Sequence, residues 1–567
     1  MWKELPKDQI EFYKRMILAF SSLSEMFAQK AESDSEQDDE SDVKLLVSPI
    51  INSKYQETVF QKSFHAKAED IGNTSYDASI FLNSSTQNKK IYVGIKTFGI
   101  NSGDQKIAQF KGDSPSWTML IEEMGKNAKD LKTKEEIDKA NEGLYYELAL
   151  HLAKMRNDRI QSSEADIKGF GEDELDIERV YHVLMPSKRG EEPKIFVGET
   201  SYTKIDISRV KVIGKDINGA TLGCTSVKKP QNFKFSDGIH VYKFTPADSQ
   251  LYMAFNNSEI IVDTWDVVFD KNACDVFLSQ ADKLFGKTNS YQTEQYFKSS
   301  KSNADIDDFE EITESYSWLI ENSRGQVERS SGFNNFYGTS SKNPKSRSEK
   351  FASLITKYSK YPEYSNVLSL LNIFVNGDSK LHDMFQIRDE ILREVKVINS
   401  KEFENEVNLL VFRLLNEIYI PLPKASEFHS SHPDFFGKGI GKIIIEESNR
   451  KSYGDKVNLS KEEKQNLKLR KSFDLVFEPS GKIMKCHITQ DCGKGIQSVE
   501  HQAILGNWIL SGIFQLEKFE PLTVEKMNEI GKNGIRIYRT NKDDSPHLQF
   551  IWIDKDNLPN DFIDKSK

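Results

Sequence analysis

Cysteine, long apolar runs and a surplus of positive charge are all scarce or missing in this sequence. Four cysteines in 567 residues are too few for a disulfide framework, which indicates a reducing compartment. No run of about 18 apolar residues occurs, so we expect no membrane-spanning helix and no membrane partner. Residues 1–30 lack the apolar core of a secretory signal and have the spacing of an amphipathic helix. These absences predict a cytoplasmic protein.

The formal charge of −10 argues against a protein that coats nucleic acid with a uniformly basic surface, but it permits local basic patches. Part of the negative charge lies in residues 31–42, AESDSEQDDESD. Their like charges repel one another and leave little to bury, which predicts a disordered insert. The GXSXG motif and an HEXXH cluster are also absent, so nothing supports hydrolysis by a nucleophilic serine.

The hydrophobic patterns predict an α/β protein with several domains, because 567 residues exceed what one core accommodates. We expect four parts along the chain: an α/β domain over 1–285, a polar loop or linker over 286–349, a helical connector over 350–423, and a C-terminal α/β or β-rich module over 424–567.

Within these parts, the spacing of apolar residues predicts particular elements. We expect helices over 53–70, 116–128, 134–160 and about 496–511, and a β-hairpin over 75–98.

The predicted hairpin carries an acid and a base where strands otherwise favour apolar residues. Asp77 interrupts the first run, and Lys96 ends the second, KIYVGIKTF. Side chains alternate along a strand, so Tyr92, Gly94 and Lys96 share one face. An edge-strand lysine is often solvated and an aspartate that begins a strand is often a turn residue. The alternative is phosphodiester hydrolysis, in which a carboxylate holds Mg²⁺ and an ammonium orients water.

Asp77, followed by VGIKT and NSGDQKIAQF, resembles the PD-(D/E)XK nuclease superfamily, and within it the type II restriction endonucleases. The resemblance covers roughly residues 45 to 200 by element order. It implies a restriction-endonuclease-like mixed sheet flanked by helices. Matched residue by residue, Asp77 corresponds to the metal-binding aspartate of the motif and Lys96 to its lysine.

The sequence departs from the motif at Gly94, where the second acid normally stands. Several branches of the superfamily draw a glutamate from the preceding helix, so Glu57 is the first candidate for catalysis and for metal binding. Asp104 ranks second, and Glu69 and Asp70 are further candidates.

The resemblance implies a Mg²⁺-dependent, sequence-specific endonuclease that cleaves double-stranded DNA and leaves 5′-phosphate ends. Cutting both strands favours a homodimer. The resemblance also implies a cognate DNA methyltransferase in the same host. The alternative is a non-catalytic DNA-binding or scaffold protein whose nuclease fold has lost its second acid at Gly94.

Two further segments are predicted to contact DNA. One lies in the expected linker over 286–349, and the other lies in the C-terminal module over 424–567. Arg329, Asn334 and Asn335 lie in RSSGFNNFYG and have side chains that pair with base edges; a packed surface loop explains the same stretch. Lys494 follows the turn in DCGKG, which could bind a phosphate or be a plain glycine turn.

Overall fold

A computed structural model of the chain describes residues 1–27, 46–69, 75–83, 88–110, 117–170, 176–213, 230, 232–270, 273–285, 312–322, 327, 333, 336, 345–376, 381–412, 418–452, 466, 468–489, 491–499 and 502–565. The chain divides into two compact units. Unit 1 comprises Met1–Ser163 and Glu172–Phe309, and unit 2 comprises Glu164–Gly171 and Glu310–Lys567. Within the described ranges, none of the helices has the uninterrupted apolar length that a membrane span requires.

Unit 1 combines helices with two β-sheets. Its helices are α1 (Lys7–Ser21), α2 (Ser24–Phe27), α3 (Ser53–Phe64), α4 (Thr118–Asn127), α5 (Lys134–Lys168), whose last turns belong to unit 2, and α6 (Ala273–Phe285). Its strands are β1 (Lys67–Ala68), β2 (Ala78–Asn83), β3 (Asn88–Thr97), β4 (Gln105–Gln109), β5 (Asp176–Pro186), β6 (Lys194–Ser201), β7 (Lys211–Val212), β8 (Phe233–Ser236), β9 (Val241–Thr245), β10 (Gln250–Met253) and β11 (Ile261–Asp266).

The first sheet has the strand order β1-β2-β3-β5-β6-β11. Its neighbouring strands are antiparallel except β3 and β5, which run parallel. Ile91, Val93 and Ile95 of β3 are buried in one core with α1 and α3. Because side chains alternate along a strand, Gly94 and Lys96 lie on the opposite face.

Helix α3 is bounded by local signals in the sequence. The Asn52 side chain accepts a hydrogen bond from the Tyr55 N–H at 2.9 Å and caps the first turn. His65 ends the helix in the left-handed conformation, with φ 49°. Val59, Phe60 and Phe64 recur at helical spacing and pack into the core below the sheet.

The second sheet of unit 1 is antiparallel, with the order β4-β10-β9-β8-β7. Phe233, Phe235, Phe244 and Leu251 are fully buried on one face. Their alternation with polar residues leaves a polar outer face.

Unit 2 contains the third sheet and most of the remaining helices. Its helices are α7 (Lys345–Tyr358), α8 (Ser365–Asn376), α9 (Leu381–Val397), α10 (Lys401–Val411), α11 (Ala425–Ser431), α12 (Ile440–Ser452), α13 (Gln502–Gly506), which continues as a π-helix over Asn507–Ile513, and α14 (Val524–Ile530). Its strands are β12 (Ile312–Leu319), β13 (Ile420–Pro421), β14 (Ser472–Glu478), β15 (Lys482–Thr489), β16 (Gly495–Ser498), β17 (Gly534–Thr540) and β18 (His547–Ile551).

The third sheet has seven strands in the order β12-β17-β18-β14-β15-β16-β13. Only the β14–β18 pairing is parallel among these described strands. A second core in unit 2 lies among α7, α8, α9 and α10, with Leu371, Ile391, Phe403 and Val407 buried in it.

The predicted α/β class is confirmed, and so are the hairpin and the helices near 116–128 and 134–160. Three predictions differ from the structure. The helix expected over 53–70 ends at Phe64 and is followed by β1. The segment expected as a linker contains β12, and the helix expected at about 496–511 begins only after strand β16. Apolar residues in short runs fit either period, which explains the last of these errors.

Candidate functional site

The structure places the Asp77 carboxylate beside the end of β3. Ala78 pairs with Val93, and the Asp77 N–H donates to the Val93 carbonyl oxygen at 2.9 Å. The Ile95 N–H donates to Asp77 Oδ2 at 2.5 Å, so the carboxylate contacts the residue directly before Lys96. The side chain of Lys96 is half-buried. The hairpin therefore places the Asp77 carboxylate at the backbone of the residue before Lys96. A shared catalytic role for Asp77 and Lys96 stays a prediction.

Two tyrosine rings occupy the space that a side chain at position 94 would need. A Cβ on Gly94 would lie 2.8 Å from Tyr202 Cε2 and 3.0 Å from Tyr181 Cδ1. The two rings stack with centroids 4.0 Å apart, and the Tyr202 hydroxyl donates to the Ser75 carbonyl oxygen at 2.9 Å. Burial raises the pKa of Tyr202 well above its usual value, so the hydroxyl stays neutral. An acid at position 94 is sterically excluded.

Arg156 of α5 holds this tyrosine pair in place. Its Nη2 donates to the Tyr181 hydroxyl at 3.1 Å, and its guanidinium lies 5.2 Å from the ring centroid of Tyr202. Nη1 donates to the Thr203 carbonyl oxygen at 3.1 Å. The rings are thus fixed by hydrogen bonds and a cation–π contact as well as by packing.

Glu69 is the acid that the fold places opposite Asp77. The β1–β2 pairing joins Lys67 with Ser79 and Ala68 with Ala78, and the Glu69 N–H donates to the Asp77 carbonyl oxygen at 3.2 Å. Residues directly opposite in an antiparallel pair have Cβ atoms about 5 Å apart. The Glu69 side chain is fully buried, and its Oε1 accepts from the Ser79 hydroxyl at 2.5 Å. Sequence reasoning ranked Glu69 low because it placed this residue on a helix.

Glu57 lies on α3, and its Oε2 pairs with Lys54 Nζ at 2.7 Å. The residue of α3 that reaches the end of β3 is Gln56, which is buried and accepts a hydrogen bond from the Thr97 hydroxyl. Asp104, the second candidate, forms an ion pair with Lys243 at 2.9 Å in the second sheet. Asp70 lies outside the described residues. The roles proposed for Glu57 and Asp104 stay predictions.

The acids near β2 suit a hard cation that keeps part of its water shell. Mg²⁺ is commonly bound through one or two carboxylates together with water and substrate phosphate, and Asp77 and Glu69 supply that minimum. The hydrogen bond from the Ile95 N–H orients the Asp77 carboxylate. Among the residues that the structure describes, no three His, Cys, Asp or Glu side chains form a metal-binding group. Asp77 and Glu69 are carboxylates of the kind that Mg²⁺ uses, and their binding of Mg²⁺ stays a prediction.

The predicted base contacts of the RSSGFNNFYG stretch fall outside the described residues, since Arg329, Asn334 and Asn335 are not among them. The described residues of that stretch have structural contacts. Phe333 packs edge-on against Phe514, and Phe336 lies 4.8 Å from the ring of Phe412.

Lys494 is exposed, and its carbonyl oxygen accepts from the Leu422 N–H at 2.9 Å. The preceding turn leads into strand β16 and not directly into a helix. Gly493 has φ +73°, and a Cβ there would lie 2.6 Å from His429 Nε2, so the turn requires glycine. A DNA contact by Lys494 stays a prediction.

One segment of unit 2 matches a known protein family. Residues 445–541 match the family model of the NgoFVII C-terminal B3-like DNA-binding domain. The match extends from α12 through β14, β15, β16 and α14 to β17. No curated protein matches the chain. The matched domain is a restriction-enzyme domain, so the comparison supports a restriction-enzyme-like protein with DNA as its partner.

Proposed function

We propose that this chain is a Mg²⁺-dependent, sequence-specific endonuclease that cleaves double-stranded DNA in the manner of a type II restriction enzyme. Unit 2 would recognise DNA and unit 1 would hydrolyse it. The observation that carries the proposal is the match of residues 445–541 to the NgoFVII DNA-binding domain. Unit 1 supports it with the element order that suggested the nuclease resemblance, since β2 and β3 form a hairpin and α5 precedes the parallel strand β5.

In this proposal the side chains beside β3 have different roles in hydrolysis. Asp77 and Glu69 would hold Mg²⁺, which when bound supplies positive charge to the phosphoryl oxygen and lowers the pKa of water. The Ile95 N–H fixes the orientation of the Asp77 carboxylate. The Lys96 ammonium would orient the attacking water and stabilise charge on the phosphate, leaving a 5′-phosphate and a 3′-hydroxyl.

A specific observation favours a second candidate, a non-catalytic DNA-binding or scaffold protein. The Tyr202 ring fills the space of the second acid at Gly94, so unit 1 would act as a binding module if Glu69 did not replace that acid. Phosphodiester cleavage distinguishes the two candidates.

The test is cleavage of mixed-sequence plasmid or phage DNA, methylated and unmethylated, by purified protein with Mg²⁺ and with EDTA. Asp77→Ala and Lys96→Ala proteins are assayed in parallel. We expect discrete fragments from the wild-type protein that disappear in EDTA and in both variants. Intact DNA from folded wild-type protein on every substrate would favour the binding module.

The same assay tests whether Glu69 or Glu57 is the second acid that binds the metal. We expect Glu69→Gln to lose cleavage by at least about 100-fold, a typical cost of removing one charge-stabilising group, and Glu57→Gln to cleave like the wild type. The opposite result would restore Glu57 to the site. Thermal melting of each variant shows whether a loss reflects unfolding, which matters most for the buried Glu69.

The homodimer and the methyltransferase belong to the same proposal. Two cuts in antiparallel strands favour two sites related by a two-fold axis. Light scattering of the protein bound to a cleavable duplex should give a protein mass twice the 65.0 kDa of one chain. DNA methylated by the host's methyltransferase should resist cleavage.

A further inference from the structure

The outer face of the second sheet in unit 1 carries a row of lysines. Tyr252 of β10 pairs with Lys106 of β4 on one side and with Lys243 of β9 on the other, and Lys243 pairs with Lys234 of β8. Residues directly opposite in antiparallel strands point to the same face. The four side chains therefore form one line across four strands, about 14 Å long at about 4.8 Å per strand.

Lys211 adds a further positive charge to this face. It lies on β7 opposite Ser236, which shares its face of β8 with Lys234. Lys211 and Lys106 are exposed, whereas Lys234 is buried. We call Lys106, Lys211, Lys234 and Lys243 the lysine face.

Repulsion within the lysine face is only partly relieved inside unit 1. Like charges directly opposite each other in a sheet are destabilising, and Lys234 and Lys243 stand in that relation. Asp104 compensates Lys243 at 2.9 Å, and the Lys243 ammonium lies 4.8 Å from the Tyr252 ring centroid. Within the described part of the chain, Lys106 and Lys234 form no ion pair. Among the described residues, the positive charges of this face therefore outnumber their ion-pair partners, in a chain of net charge −10.

We infer that the lysine face binds the phosphodiester backbone of double-stranded DNA, as a second DNA contact separate from residues 445–541. This inference rests on the proposed function, which makes DNA the substrate of unit 1. The exposed ammonium groups of Lys106 and Lys211, with the partly buried Lys243 between them, complement the regular negative charge of a duplex backbone. Such contacts position DNA without reading its sequence.

The lysine face is connected to the candidate active site by a short segment. Asp104, which holds Lys243, follows Lys96 by eight residues. Eight residues span at most about 28 Å when fully extended. A duplex held on the lysine face would therefore lie close enough to unit 1's acids for one DNA molecule to contact both.

The salt dependence of DNA binding tests this inference. The full-length protein is titrated against a labelled mixed-sequence duplex in EDTA, which prevents metal-dependent cleavage, at several salt concentrations. Lys106→Gln/Lys211→Gln removes two exposed lysines that form no ion pair with any residue in the described ranges. The matched control is Lys139→Gln/Lys188→Gln, two exposed lysines elsewhere in unit 1.

We expect the slope of log K against log[salt] to become shallower by about 1 to 2 in Lys106→Gln/Lys211→Gln, since each phosphate contact contributes about 0.9. The control should keep the wild-type slope.

A wild-type slope in Lys106→Gln/Lys211→Gln would overturn the inference while leaving the proposed function intact. A wild-type protein that binds no duplex at all would instead contradict the proposed function. If the slope changed equally in the control and in Lys106→Gln/Lys211→Gln, the effect would come from the net charge of the protein and not from this face. That result would also overturn the inference.

Discussion

The absence of a side chain at Gly94 is enforced by the rings of Tyr181 and Tyr202 packed above it. The sequence alone shows only that Gly94 stands where the nuclease motif normally has its second acid. The structure adds that the space of that acid has been filled, so restoring a carboxylate there would require moving Tyr202. In the proposed nuclease, Glu69, which lies opposite Asp77, would take the role of that acid.

Gly94→Ala should lower the free energy of unfolding by about 1 to 3 kcal/mol, the usual cost of forcing extra atoms into a packed site. Gly143→Ala is the matched control, because a Cβ at Gly143 meets no atom within 4 Å. It should be neutral or stabilise the helix by up to about 1 kcal/mol. Urea unfolding measures both, and equal stability of Gly94→Ala and wild type would contradict the packing argument.

His547 in unit 2 lies between two carboxylates and against an aromatic ring. Its Nδ1 is 3.2 Å from Glu478 Oε1 and its Nε2 is 3.3 Å from Asp543 Oδ1, and it stacks on Tyr538 with ring centroids 5.0 Å apart. Burial would lower the pKa of His547, but the hydrogen bond to Glu478 and the charges of Asp543 and Glu478 outweigh it and raise the pKa.

This raised pKa predicts a loss of stability at alkaline pH. Protonated His547 stabilises the fold fully below the unfolded pKa of about 6.5, and this contribution disappears as the pH rises through the folded pKa. Hydrogen exchange of β14 and β18 amides should therefore show protection that falls as the pH rises above about 6.5. His547→Gln should lose this pH dependence, and an unchanged profile in that variant would rule His547 out as its source.

At the scale of elements, the last turns of α5 are anchored within unit 2. Trp508 Nε1 donates to the Ala165 carbonyl oxygen at 2.7 Å. Asp166 Oδ2 and Lys532 Nζ form an ion pair at 2.6 Å, with both side chains at most 2% exposed. Buried charges are tolerated only when paired. The sequence pattern predicts this helix only as far as residue 160 and does not identify the residues that its last turns contact.

Lys532→Met should destabilise unit 2 by about 3 to 5 kcal/mol, because it leaves the Asp166 carboxylate buried without its counterion. The double variant Asp166→Leu/Lys532→Met should recover most of that loss, since apolar replacement of a buried pair is often neutral. Urea unfolding of Lys532→Met, Asp166→Leu and the double variant gives the coupling energy between the two residues. Additive losses would show that the pair does not act as a unit.

Strand β1 shows why the sequence placed Glu69 behind Glu57 as a candidate for the second acid. It has only two residues, Lys67 and Ala68, too few to produce a recognisable period. Residues 53–70 therefore read as a single helix, which made Glu57 the natural candidate. Only the pairing of β1 with β2 reveals that Glu69 lies opposite Asp77.

At the scale of the whole molecule, two units with separate cores suggest separable binding and cleavage. Asp77→Asn should lose cleavage by at least about 100-fold while its affinity for duplex DNA in EDTA stays within about twofold of wild type. Gel shift and cleavage assays on one preparation measure both quantities. A parallel loss of binding would contradict the separation and point to a wider defect in unit 1.

The sequence by itself determined the α/β class, the hairpin that joins Asp77 to Lys96, and the long helix α5, because these depend on periods and turns that neighbouring residues create. It also indicated DNA as partner, which the match of residues 445–541 supports. Tertiary structure alone decided the exclusion of an acid at position 94, the placement of Glu69, the lysine face and the Asp166–Lys532 pair. Each depends on strand register or on contacts between residues far apart in the chain, and no local pattern encodes either.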